Sequence, residues 1–333
     1  MPVNHEWLAQ VTEEIVDPER PIVDPHHHFW KSGRWGRYLL DDLWADTNSG
    51  HNIERTVFLE CRAEYDENVP EIKAPLGETR FVADLAAQSA EGGGAQVCGI
   101  IGQVNFRFGA RVEAVLKSHI EAGRGLFRGI RQSCTWDASD LLPNSGSNPI
   151  QHLYRQDDFR EGFAQLAPLG LSFESWLYHT QLPDLTELSR AFPNTTIVVN
   201  HLGGPLGVGP YANRREEIFA QWAEAYATLS ECPNVVAKIG GIAMTANGFG
   251  WDDRDLPPTS DELADAQRPY YLHAIECFGP DRCMFESNFP VEKQSVSYHV
   301  LWNTFKKIAA DFNEEEKDAL FRGTADRVYR LGA

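Results

Sequence analysis

The chain has 333 residues, 42% of them hydrophobic, and no apolar run approaches the roughly 20 residues that a membrane-spanning helix needs. Thirty basic residues face 48 acidic ones, and a formal charge of −18 argues against nucleic acid or an anionic membrane as a partner. Six scattered cysteines (Cys61, Cys98, Cys134, Cys232, Cys277, Cys283) form no CxxC pair, and the polar, acidic stretch MPVNHEWLAQ lacks the basic start of a secretory signal, so a reduced, cytoplasmic chain is expected.

After a polar extension, 1–20, the first strand is predicted over 21–27 (PIVDPHH). A long connection, 30–54, leads to a second strand over 55–61, followed by the amphipathic stretch ETRFVADLAAQSAEGG. A third strand over 96–104 is followed by the helical pattern ARVEAVLKSHIEAG, and a fourth covers 126–132. A second long connection, 134–156, precedes a helix over DDFREGFAQLAPLG and a fifth strand over 171–178. LPDLTELSRAFPN then leads to a sixth strand over 195–202, and NRREEIFAQWAEAYATLSECPN to a seventh over 234–241. A third long connection, 242–260, and a helical segment run to the eighth strand, 282–289. Two helical segments close the chain, the last over 313–331, with Asn313 as N-cap and Glu316 completing a capping box. Each strand is mostly apolar on both parities, as strands buried on both faces are. Eight strands alternating with helices predict an α/β fold, a single-domain (β/α)8 TIM barrel over 1–333 with long loops after strands 1, 4 and 7. No GxGxxG or GxxxxGK[ST] follows any strand, which disfavours an open nucleotide-binding sheet.

Barrel active sites form at the C-terminal ends of the strands. Strand 1 ends in His26-His27-His28, strand 2 in Glu60-Cys61-Arg62, strand 4 in Arg131. Strand 5 ends in WLYHTQ with Trp176 and His179, strand 6 in NHLGG with His201. Strand 7 carries Lys238, and strand 8 carries Glu286 and Asn288. Alternation puts His26 and His28 on one side of strand 1 and His27 on the other, so His27 packs behind the strand. Two inward imidazoles so spaced can share one metal ion, and zinc, manganese and iron all suit imidazole. Phe29, Trp30, Trp35, Tyr38, Trp136, Trp176 and Tyr178 crowd the same rim.

The HxH after strand 1, NHLGGP at strand 6 and SNFP at strand 8 resemble the amidohydrolase superfamily, and more narrowly its amidohydrolase 2 branch, which includes lactonases acting on pyrone dicarboxylate and on sugar lactones. FRGIR, LSFESWLYHTQLPDL, FPNTTIVVNHLGGP and FGPDRCMFESNFPV follow that branch's blocks in order, over about residues 20–331. The resemblance implies a divalent metal ion (Zn, Mn or Fe) held by His26, His28, His179 and His201, with Arg131 meeting substrate carboxylate or lactone oxygens. Where the branch carries SDWP this chain has SNFP, so Asn288 replaces the aspartate that touches the metal and takes the proton from water. A carboxamide is no base at neutral pH. Glu60 is a candidate replacement. Glu286, sharing parity with Asn288, is either a second candidate or a buried partner for Lys238 or Arg131.

The expected catalytic residues are thus Glu60, His201 and Asn288, with Arg62, Arg131, Trp176 and Lys238 as substrate contacts. The expected reaction is hydrolysis of a lactone, or of a similar ester or amide, in a small anionic cyclic or aromatic carboxylate. A metal-dependent decarboxylase or oxygen-using enzyme is the alternative, and a non-catalytic subunit paired with a homologous chain is a third. A homo-oligomer, or a hetero-oligomer with such a chain, is the expected assembly.

Overall fold

The computed structural model describes residues 3–33, 36–144 and 150–332. Trp35 and part of the connection after strand 4 lie outside the described residues. The eight strands are β1 (Pro21–His27), β2 (Asn52–Leu59), β3 (Gln96–Gly102), β4 (Phe127–Arg131), β5 (Ser172–Ser175), β6 (Ile197–Val199), β7 (Val235–Gly240) and β8 (Cys283–Glu286). Each pairs in parallel with the next in chain order. The ring closes through a parallel bridge from His27 to Phe289 and a 2.9 Å bond from His28 N–H to the Phe289 carbonyl. Asp24 strengthens this seam by accepting from Ser287 N (3.0 Å), Ser287 Oγ (2.6 Å) and Tyr298 Oη (2.9 Å). The helices alternate with the strands outside, and the architecture is the (β/α)8 barrel expected. Among the described residues no helix is long and apolar enough to cross a membrane.

Several strands are shorter than the apolar runs suggest. β5 stops at Ser175 and β8 at Glu286, because the residues that follow turn out over the barrel mouth. The two halves of the barrel interior differ in character. Val23, Val57, Leu59, Ile101, Val198, Val236 and Met284 fill the lower layer, and Ala325 and Tyr329 of the C-terminal segment plug it from below. Each such buried aliphatic contributes about 1.5–3 kcal/mol. That segment is helical over Glu314–Asp318 and Thr324–Tyr329, joined by one π turn, and begins with the expected Asn313–Glu316 capping box. Above the apolar layer lie charged and imidazole groups.

Candidate functional site

Two features occupy the upper half of the barrel, and one residue belongs to both. The first is a buried imidazole–carboxylate cluster on the axis. Glu286, fully buried at the end of β8, places Oε2 2.6 Å from His26 Nδ1 and Oε1 2.8 Å from His201 Nδ1. The backbone N–H of His201 also donates to Glu286 Oε1, at 3.0 Å. His28 turns its Nδ1 to the Leu59 carbonyl at 2.8 Å, leaving Nε2 as a lone pair. Burial, with the positive charge of Lys238 and Arg131 nearby, holds His26 far below the usual imidazole range; burial and Arg131 do the same for His28. Both are therefore neutral, the form that binds metal.

The second feature is a cavity of about 680 Å³ beneath the connections after β2, β3 and β4. Glu60, Arg62, Tyr65, Gln103, Arg107, Phe108, Arg111 and Gln132 are among its walls, and no histidine is. Among the described residues of the three long connections, only those after β4 contribute, through Cys134, Thr135, Ile150 and Leu153. The connection after β1 folds back instead through a Trp30–Tyr38 bridge, which buries Tyr38, Leu40 and Leu43. The connection after β7 is held down by Glu292, whose Oε2 accepts from Ala243 N at 2.9 Å, and by Arg215 on the Asn247 and Gly248 carbonyls.

Glu60 joins the two. It lines the cavity, and its Oε1 accepts from Arg131 Nε at 2.8 Å, while the Arg131 Nη2 group bonds the Glu60 carbonyl. Arg131 Nη1 lies 3.3 Å from His26 Nε2. A continuous polar path therefore runs from the cavity through Glu60 and Arg131 to His26, Glu286 and His201. Arg131 is only 7% exposed and does not line the cavity.

Of the four histidines expected as ligands, His26 and His201 come together with Glu286. Their ligand atoms lie within 4.8 Å of one another, the one such group among the described residues. Two imidazoles and a carboxylate are the donor set of one type of catalytic zinc site. His26 Nδ1 and Glu286 Oε2 are buried without an aligned hydrogen bond, a need that a bound cation would meet. The three residues fit a divalent ion. His28 and His179 fall outside the group. His179 sits in a 3-10 turn beyond the end of β5; its Nδ1 accepts from Leu206 N at 3.3 Å and burial lowers its pKa to about 4. Tyr178 turns the other way, its hydroxyl donating to the Pro143 carbonyl at 2.5 Å.

The remaining sequence candidates scatter. Trp176 lies edge-on to His201, with ring centroids 4.8 Å apart, and is not a cavity wall. Lys238 is fully buried, 3.0 Å from Glu174, does not line the cavity, and pairs with Glu174 and not with Glu286. Arg131 likewise pairs with Glu60 and not with Glu286. Asn288 adopts a left-handed backbone (φ 55°) and is 1% exposed, its side chain toward Glu292. That turn breaks the strand alternation linking it to Glu286. His27 packs behind β1 as expected, against Phe29 and Phe58, with Nε2 3.0 Å from Thr56 Oγ1; burial takes its pKa to about 3.

The sequence reading missed Glu174, Glu78, Arg107 and Arg111. Glu174 is the one charged residue of β5 (SFES), fully buried, and a lone carboxylate in a barrel strand is a usable signal. Glu78 is buried in the helix Leu76–Ser89, where its Oε1 accepts from Cys61 N (3.0 Å) and Ala63 N (2.8 Å).

Glu78 and Glu292 also set a pH dependence of stability. Burial, aided by Glu60 for Glu78 and by Glu286 for Glu292, raises each to about 8 from an ordinary 4.5. Between those values the folded chain keeps protons that the unfolded chain releases, so stability falls as pH rises through this window. Buried His27, His51, His119 and His179, lowered to about 3–4, act in the opposite sense, an effect that fades over about a unit above their ordinary 6.5 and is outweighed there by two glutamates still fully protonated. From pH 6.5 to 8 the glutamates therefore dominate. The thermal midpoint is expected to be lower at pH 8 than at 6.5, and the difference to shrink in a Glu78→Gln/Glu292→Gln variant; equal slopes in both proteins would contradict this.

Comparison with known proteins agrees with the geometry. The amidohydrolase family model Amidohydro_2 matches residues 23–331. An uncharacterized protein, y4mH, from Sinorhizobium fredii is 32% identical over 331 residues, covering 93% of this chain and 98% of that protein. An L-fucono-1,5-lactonase from Burkholderia multivorans is 24% identical over 324 residues, covering 93% and 96%. A crystal structure of an amidohydrolase from Burkholderia multivorans with bound zinc superposes with a TM-score of 0.73 at 22% identity, over 94% of this chain and all of that one. Matched from the first barrel strand to the C-terminal plug, this chain belongs to the amidohydrolase 2 family.

Proposed function

We propose that the protein hydrolyses a lactone, or a closely similar ester, of a small polar carboxylic acid. The observation that carries this reading is Glu60, a cavity-wall carboxylate tied through Arg131 to the imidazole cluster. Arg131 binds Glu60 at both its side chain and its carbonyl, which fixes the carboxylate with Oε1 engaged and leaves Oε2 to accept a proton. In the proposed reaction water adds to the lactone carbonyl while Glu60 takes its proton; the bond from that carbon to the ring oxygen then breaks, and Glu60 returns the proton to the ring oxygen, which leaves as the alcohol. Glu60 thereby fills the role that Asn288 cannot, and Arg131 is a positioning residue. His26, His201 and Glu286 would hold a divalent ion, which when bound supplies Lewis-acid polarisation. The 24% identical L-fucono-1,5-lactonase and the zinc-containing neighbour support the reaction class and the ion.

The test is an indicator assay over sugar and pyrone lactones with protein purified without chelator, paired with elemental analysis. Opening of at least one lactone and about one divalent ion per chain are expected, the ion being lost in a His26→Asn/His201→Asn variant. If no lactone is opened, or the metal content of that variant equals the wild type's, the corresponding half of the reading fails.

A further inference from the structure

We propose that Arg62 and Arg111 form an oxyanion subsite at the cavity mouth, so that the substrate carries a second anionic group away from the bond that breaks. The proposal rests on the assignment of this cavity to the substrate.

Arg62, Arg107 and Arg111 all line one cavity in a chain of formal charge −18. Arg107 is neutralised by Asp158 at 3.1 Å, as Glu60 is by Arg131. Arg62 and Arg111 have no carboxylate within ion-pair distance among the described residues. Arg111 instead lies over the Phe108 ring, 5.1 Å from its centroid, with Nε on the Phe108 carbonyl at 3.3 Å. Glu71 is the one acidic wall residue left without a cation partner among the described residues, so two arginines against one glutamate leave the wall at +1.

The backbone is built to present Arg62. It holds a left-handed conformation (φ 66°), which is unfavourable for a residue with a side chain. Buried Glu78 offsets that cost by accepting the amides on either side, Cys61 and Ala63, with a single oxygen. This clamp keeps residue 62 from relaxing to an extended strand end. Planar guanidinium groups suit carboxylate and phosphate oxygens equally. Beside them Phe108 and Ile72 offer an apolar face for a carbon skeleton, and about 680 Å³ exceeds what one small lactone ring needs.

Calorimetric titration at low salt with glutarate and with glycerol 2-phosphate tests the subsite and separates its two sources of oxyanion. The wild type is expected to bind at least one of them, and an Arg62→Gln/Arg111→Gln variant to bind it tenfold or more weakly. On paired lactones with and without a pendant anion, the ratio of kcat/KM for charged over neutral is expected to fall tenfold or more in that variant. Absence of oxyanion binding by the wild type, or equal binding by the variant, overturns the subsite. Arginine-dependent binding by a protein that opens no lactone upholds the subsite and overturns the hydrolase reading; lactone opening without oxyanion binding does the reverse.

Discussion

Glu60→Gln is expected to lower kcat for lactone opening by about a hundred- to ten-thousandfold, the range that loss of a general base produces. Glutamine keeps an oxygen where Glu60 Oε1 accepts from Arg131 Nε, so the 2.8 Å contact and the local packing survive the change. What is lost is the proton acceptor at the cavity wall, and the loss belongs in kcat more than in KM. Glu60→Asp withdraws the carboxylate by one methylene but keeps its basicity, so part of the rate is expected to return. A Glu60→Gln enzyme with kcat within threefold of wild type, and unchanged circular dichroism, would remove Glu60 from the chemistry.

The largest expected effect on stability comes from Lys238. Lys238 and Glu174 are both fully buried, 3.0 Å apart, and Glu174 also accepts from Asn200 and from the hydroxyl of Tyr329 in the C-terminal plug. Burial lowers the pKa of Lys238, opposed by the two nearby glutamates, Glu174 and Glu286. Lys238→Met leaves Glu174 as a buried, uncompensated charge, at a cost of about 3–5 kcal/mol. In Lys238→Met/Glu174→Gln the charge is gone and the amide can still meet Asn200 and Tyr329, so most of the stability is expected to return. Urea unfolding of the three proteins decides it. A Lys238→Met protein as stable as wild type but with a raised KM would restore Lys238 to the substrate contacts.

The barrel was legible because its signal is repeated. Eight runs apolar on both parities, each followed by a helical period, leave few alternatives, and the position of each strand follows. The strands end sooner than the apolar runs where the chain leaves the sheet at the mouth, as after Ser175 and Glu286. The HxH alternation separates His27, packed behind the strand, from His26 on the axis, since β1 stays extended through His27. The same reasoning fails at Asn288 and Arg62, whose positive φ values reset the direction of the side chain. Ion-pair partners were legible least of all. That Glu286 takes two imidazoles, Lys238 takes Glu174 and Arg131 takes Glu60 depends on how strands one or two apart in the ring face one another. No spacing along one strand records that. Arg107 and Arg111 lie on a 3-10 turn over Phe106–Arg111 outside the strands; Arg107 falls in no periodic run, and Arg111 stands at the start of a helical run whose pattern says nothing of the cavity.

The most direct test of the chemistry proposed for Glu60 is lactone opening in oxygen-18 water, followed by mass spectrometry of the product acid. The expected result is one oxygen-18 atom in the new carboxylate, formed at a rate that Glu60→Gln suppresses at least a hundredfold. Failure to open any lactone, together with release of carbon dioxide from a hydroxybenzoate under the same conditions, would contradict it and make the protein a decarboxylase on the same barrel.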